Sequence, residues 1–181
     1  MIVSSIVLSY HGCDRSTAKA VIEGKKDLKI SQNAYDWLGE GIYFWENSPR
    51  RALRWAEFLK LHPRRTGSKI KDPAVVVAVI ELGNCLDLTD QASLDLLKEM
   101  YEPFKDTMFA AGLHMPENKG SSENDHDLLL RYLDCAVINF SHQMRKAEKL
   151  KAFDTVRGVF FEGKSIFDGS RIREKTHIQI A

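Results

Sequence analysis

Cysteine is scarce in this chain of 181 residues. There are three, Cys13, Cys85 and Cys135, an odd number with no CxxC pair. That argues against a disulfide framework and against a thiolate zinc site. An excess of one charge is also missing. Lys and Arg total 26 against 25 Asp and Glu, a formal net charge of +1. No global field therefore draws the chain to nucleic acid or to a membrane, and any such attraction needs a local patch. Long apolar runs are absent. Met1 to Tyr10 is too short for a membrane span, and it lacks the basic start and small-residue cleavage site of a secretory signal. His114, His126 and His142 fall in no HxxxH or HExxH spacing, so no metal is expected. No GxGxxG follows the first strand, which removes the Rossmann route to a dinucleotide. Reduced thiols predict a cytoplasmic protein.

What is present is ordinary for a globular domain: 44% hydrophobic and 28% charged residues. The length fits one domain over 1–181 with a substantial core. No linker or repeat divides it. Strands are predicted over Ile2 to Ser9, Gly41 to Trp45, Ala74 to Leu82, Thr155 to Phe161 and Thr176 to Ala181. A short helix runs from Thr17 to Glu23, capped by Ser16 and ended by Gly24. A second opens at Ser48-Pro49, with Ala52, Trp55, Ala56 and Leu59 as its apolar face. A third spans Gln91 to Gly112 and is expected to break or kink at Pro103. The longest helical pattern is Asp125 to about Ala152. The order is α+β with mixed or antiparallel pairing.

Two short elements stand out as carriers of chemistry. Tyr10-His11-Gly12 ends the first strand. Leu38-Gly39-Glu40-Gly41-Ile42-Tyr43-Phe44 runs from a glycine turn into an aromatic strand, after Leu28-Lys29-Ile30-Ser31 and a polar loop. In this order the elements resemble the histidine-glycine strand, donor loop and tyrosine motif of poly(ADP-ribose) polymerase-like and diphtheria-toxin-like ADP-ribosyltransferases. The resemblance covers roughly Ser9 to Ala56. It implies a split β-sheet, two packed mixed or antiparallel sheets with flanking helices and a helical insertion. It also implies NAD as a substrate that is consumed.

Under that resemblance His11 donates a hydrogen bond to a hydroxyl of the nicotinamide ribose. Gly12 offers its bare backbone to the carboxamide. Tyr43 stacks on the nicotinamide ring, so that imidazole and phenol grip it in one crevice. Gly39 and Gly41 allow the sharp turn beside the pocket. The second aromatic wall of the family falls at Arg54 here, a departure, with Trp55 next to it as the substitute. The family serine that bonds the carboxamide falls near Arg51, a second departure. The third catalytic group, which holds a ribose hydroxyl and steadies positive charge, is Gln179 ahead of Glu174, with Glu162 third. Glutamine would favour mono-transfer over chain growth. Lys29 faces the adenosine half, with Ser31, Asn33 and Asp36 as donor-loop contacts. Arg50, Arg51, Arg54, Arg64, Arg65, Lys69 and Lys71 form a basic run that could meet the pyrophosphate or a nucleic acid, or could be a solvated face.

The expectation is thus an NAD-dependent mono-ADP-ribosyltransferase, a pentosyl glycosyltransferase needing no metal. Its acceptor would be a macromolecule, nucleic acid slightly ahead of protein. By analogy it would be a toxin of a toxin–antitoxin or phage-defence system, with an antitoxin protein as a further partner. An NAD glycohydrolase and a non-catalytic NAD- or ADP-ribose-binding module are the alternatives.

Overall fold

The computed structural model describes residues 5–63, 69–121 and 127–181. Its strands are β1 (Ile6–Asp14), β2 (Phe44–Glu46), β3 (Pro73–Glu81), β4 (Cys85–Asp87), β5 (Thr155–Ser165) and β6 (Arg173–Ile180). Its helices are α1 (Arg15–Ile22), α2 (Pro49–Leu61), α3 (Gln91–Ala110) and α4 (Tyr132–Ala147). The coarse class is α+β, as expected.

The first strand continues from its apolar part through Tyr10-His11-Gly12, as expected, and runs two residues further to Asp14. Its register with β3, from Ile6↔Glu81 to Asp14↔Pro73, supplies a partner at every position. Met1–Ser4 of the expected strand lie outside the described residues. Asp14 then ends the strand and caps α1, accepting from the Ser16 amide, so the cap is Asp14 rather than Ser16. Gly24, at φ +66°, closes the helix as expected.

The expectation of two packed sheets is corrected. The six strands join in one mixed sheet, β3-β1-β2-β6-β5-β4, antiparallel except for β4 with β5. The sheet has a narrow waist, however. β2 has two register pairs with β1 and two with β6. Arg157 reinforces this waist from β5, donating to Glu46 on β2 at 2.7 and 3.2 Å and to Asp87 on β4 at 2.9 Å.

Of the expected break or kink at Pro103 the break does not occur, and helix α3 passes through the proline without ending. Buried Phe104 packs its ring 5.4 Å from Phe140 of α4, and this tertiary contact holds the helix across the missing N–H. Helix α4 is shorter than its pattern: Leu130 forms a bridge with Lys119 before it begins, and Lys149 turns to φ +58° after it. Leu38, Leu86, Ile138 and Val156 form the core between α4 and the β4–β5 side of the sheet. Cys13, Ala18 and Val76 form a second cluster under α1. All three cysteines are free thiols. Among the described residues no helix is long and apolar enough to cross a membrane, and no group of His, Cys, Asp and Glu is placed to hold a metal.

Candidate functional site

β1 parts from β2 just where the histidine-glycine pair sits. Pairing with β2 stops at Tyr10, whereas pairing with β3 continues to Asp14. The Asn47 amide donates to the Leu8 carbonyl, so the backbone of Leu8 points toward β2. In an antiparallel ladder this direction recurs every second residue, at Tyr10 and again at Gly12. The N–H and C=O of Gly12 therefore both face the space that β2 has vacated.

His11 reaches across that gap. Its Nδ1 lies 2.8 Å from the carbonyl oxygen of Tyr43. A carbonyl only accepts, so Nδ1 holds the proton and donates. Burial pushes the imidazole pKa below its ordinary value, against the opposing pull of this hydrogen bond, and favours the neutral ring. In the neutral tautomer Nε2 is an acceptor. The expected donor role of His11 is corrected accordingly: it can take a hydrogen bond from a hydroxyl rather than give one.

Tyr43 is brought beside His11, but through its backbone. Continuing the Tyr10↔Trp45 register sets His11 opposite Phe44 and Gly12 opposite Tyr43. The ring next to the imidazole is Phe44's, at 5.6 Å. Tyr43 packs against the Leu38 and Ile138 cluster, and its hydroxyl donates to the Gly39 carbonyl at 2.8 Å while accepting from the Leu38 amide at 2.9 Å. Burial pushes its pKa up, so it stays a neutral phenol. The expected grip of two side chains on one ring is thus corrected. Tyr43 lines the Gly12 face of the gap and pins the glycine turn, while His11 comes from the Phe44 face.

The glycines explain themselves by close approach. A β-carbon on Gly12 would stand 2.1 Å from the Ala52 carbonyl oxygen of α2. Gly39 has φ +81°, and a β-carbon there would meet Asn139 and Ile138. Gly41 is paired with Ser31 in an isolated bridge, so the donor-loop residue Ser31 does join the tyrosine motif. Asn33 and Asp36 bond each other at the tip of that loop, and Lys29 is exposed. Trp55 is half-exposed on α2, its ring 6.1 Å from Trp45 and stacked on Phe58.

The candidates for a third group separate clearly. Gln179 is buried on β6, in register with Trp45 and Gly158, and accepts from the Trp37 indole N–H at 2.5 Å. The polar partner that a glutamine in an apolar strand demands is therefore Trp37, from the turn that precedes the tyrosine motif. Glu174 is exposed and lines a cleft between α2 and the β5–β6 hairpin. Glu162 is almost wholly buried; its Oε1 accepts from Arg131 at 3.1 Å and its Oε2 has no partner. Burial pushes its pKa up to about 7, despite the opposing charges of Arg131 and Lys175.

That shift has a sign. Between the ordinary carboxyl pKa and about 7 the folded chain holds a proton that the unfolded chain has lost, so stability falls as pH rises through this window. Urea unfolding from pH 4.5 to 7.5 should show the fall. Glu162→Gln should flatten it, by something on the order of 2 kcal/mol across the window.

The basic run is dispersed. Arg50 and Arg54 are exposed on α2, Arg51 is half-buried with its guanidinium 5.8 Å over the Trp45 ring, and Arg64 and Arg65 lie outside the described residues. Sequence reasoning gave no role to His177, which stacks on Phe160 at 4.8 Å, or to Arg131. Alternation along β6 already put His177 on the face of Gln179.

No family model matches the chain, and no solved structure matches it. It is similar to an uncharacterized protein of Methanocaldococcus jannaschii, 30% identical over 156 residues. The match covers 83% of this chain and 63% of that protein, so the chain spans a little under two thirds of the relative's length.

Proposed function

We propose that the chain is an NAD-dependent mono-ADP-ribosyltransferase whose nicotinamide site is the gap between β1 and β2. The reading is carried by Gly12, whose N–H and C=O both turn toward that gap on the side where pairing has ended. A donor and an acceptor side by side on one residue match the two halves of a carboxamide. Tyr43 walls the same face, and the Nε2 of His11 can accept from a ribose hydroxyl. Holding the carboxamide and the sugar at once orients the glycosidic bond for departure of neutral nicotinamide. Gln179, Glu174 and Glu162 are the groups from which the one that steadies the developing positive ribose would come. The acceptor is a macromolecule, nucleic acid ahead of protein, and the role of a toxin-type effector held by an antitoxin rests on analogy.

Incubation with NAD⁺ carrying label in the adenosine half tests this. Release of nicotinamide with label on macromolecules from a lysate is the expected result, and separate protease and nuclease digestion identifies the acceptor. Rapid release of free ADP-ribose without acceptor would favour a glycohydrolase. Binding of NAD⁺ with no bond broken would leave only a binding module.

A further inference from the structure

The cleft between α2 and the β5–β6 hairpin has a volume of about 480 Å³ and is lined by Arg51, Arg54, Ile166, Glu174 and Lys175. Three cations thus face one carboxylate. Arg51 also belongs to a second cluster. Its guanidinium lies 5.8 Å over the Trp45 ring, and Trp45 lies 6.4 Å from His177. His177 stands two residues from Lys175, on the same face of β6. Three nitrogens of this cluster, Arg51 Nε, Trp45 Nε1 and His177 Nε2, are buried without a hydrogen-bond partner. Buried polar groups are nearly always paired, so three neighbouring exceptions call for a reason.

The chemistry of these atoms selects the partner. Guanidinium and indole nitrogens only donate, and a neutral imidazole can place its proton on Nε2. Burial and the charges of Arg51 and Lys175 lower the His177 pKa to about 4, so the ring is neutral. Glu162 faces the same region with a free Oε2, but its other oxygen is held by Arg131. What fits is an oxyanion with several acceptor atoms and more than one negative charge, for which charge-assisted bonds from arginine are the strongest available.

We propose that this cleft is a phosphate-binding subsite, built from Arg51, Arg54 and Lys175 together with the adjoining Trp45 indole and His177 imidazole. It stands apart from the transferase reading, because phosphate binding needs no bond broken in NAD⁺. Two sources share the chemistry: the pyrophosphate of a dinucleotide and the phosphate of a nucleic-acid acceptor.

Titration of the full chain with inorganic phosphate, followed by calorimetry and by the ¹⁵N resonances of the His177 ring, tests it. Saturable binding is expected, with a clear shift at His177. Arg51→Gln and Lys175→Gln should each weaken binding at least tenfold, while Arg50→Gln on the exposed face of α2 should not. Thermal unfolding checks that each variant is folded, and Lys175→Gln, at the half-exposed wall, keeps the test alive if Arg51→Gln misfolds. Displacement of phosphate by ADP-ribose would assign the subsite to the donor. Displacement by a 5′-phosphorylated trinucleotide, but not by its unphosphorylated form, would assign it to the acceptor. Non-saturable binding, an unmoved His177 resonance, equal affinity in the variants, or displacement by neither ligand would overturn the proposal.

Discussion

His11→Ala is expected to slow nicotinamide release from NAD⁺ by about 10²- to 10³-fold, the scale of losing one positioned hydrogen-bonding group at the reacting centre. Two losses combine. The Tyr43 carbonyl loses its donor at 2.8 Å, which loosens the edge of the gap, and the ribose hydroxyl loses its acceptor. His11→Gln separates them, because a glutamine amide can donate to the carbonyl with its nitrogen and accept with its oxygen. It should recover part of the rate. The pH profile carries the further signature. Protonation at Nε2 turns the acceptor into a donor, so the rate should fall on the acid side. The lowered pKa puts that fall below the ordinary histidine value of about 6.5. His11→Gln should abolish this acid limb. A purely structural histidine would instead change the amount of folded protein and leave the profile of the remainder intact.

Gly12→Ala should be costly for a different reason. The added methyl would sit 2.1 Å from the Ala52 carbonyl oxygen and 3.3 Å from the Ala56 β-carbon. A helix carbonyl cannot swing aside as a flexible side-chain end can, so α2 must lift from β1 as a unit. A loss of about 3 kcal/mol or more is expected, at the upper end of overpacking effects. Chemical denaturation of the variant would measure it. Gly24→Ala is the useful contrast: Gly24 has nothing within 4 Å of its β-carbon position, and its φ of +66° leaves only the backbone strain of about 1 kcal/mol.

These two neighbours show how far the sequence could be read. The histidine-glycine, donor-loop and GxGIYF elements were legible as a unit, and the structure does join them: the His11–Tyr43 bond ties the first to the third, and the Ser31–Gly41 bridge ties the second to the third. The atoms that make the joint were not legible. Side-chain identity suggested two rings facing each other, whereas strand register turns His11 toward Phe44 and leaves the Tyr43 carbonyl as its partner. The backbone of Gly12 was read as the ligand contact, but the reason for its missing β-carbon was not legible: α2 packs there, with the Ala52 carbonyl oxygen 2.1 Å from where that carbon would stand. Helices α1 and α2 were readable from local caps and spacing. Helix α3 was readable too, expected over Gln91 to Gly112 and found at Gln91–Ala110; only its continuity through Pro103 was not, because the Phe104–Phe140 contact beside the proline is tertiary. Burial of Glu162 was equally hidden. An acidic residue after Val159-Phe160-Phe161 reads as the end of a strand, but β5 continues to Ser165 and keeps Glu162 inside.

The central claim is that a carboxamide docks on the free backbone edge of Gly12. A ¹H–¹⁵N correlation spectrum recorded while nicotinamide is added addresses it without any enzyme assay. The Gly12 amide should show one of the largest shifts, saturating together with the amides around Tyr43. If nicotinamide saturates the protein while the Gly12 amide stays where it was, or if it does not bind at all, the gap between β1 and β2 is not the site.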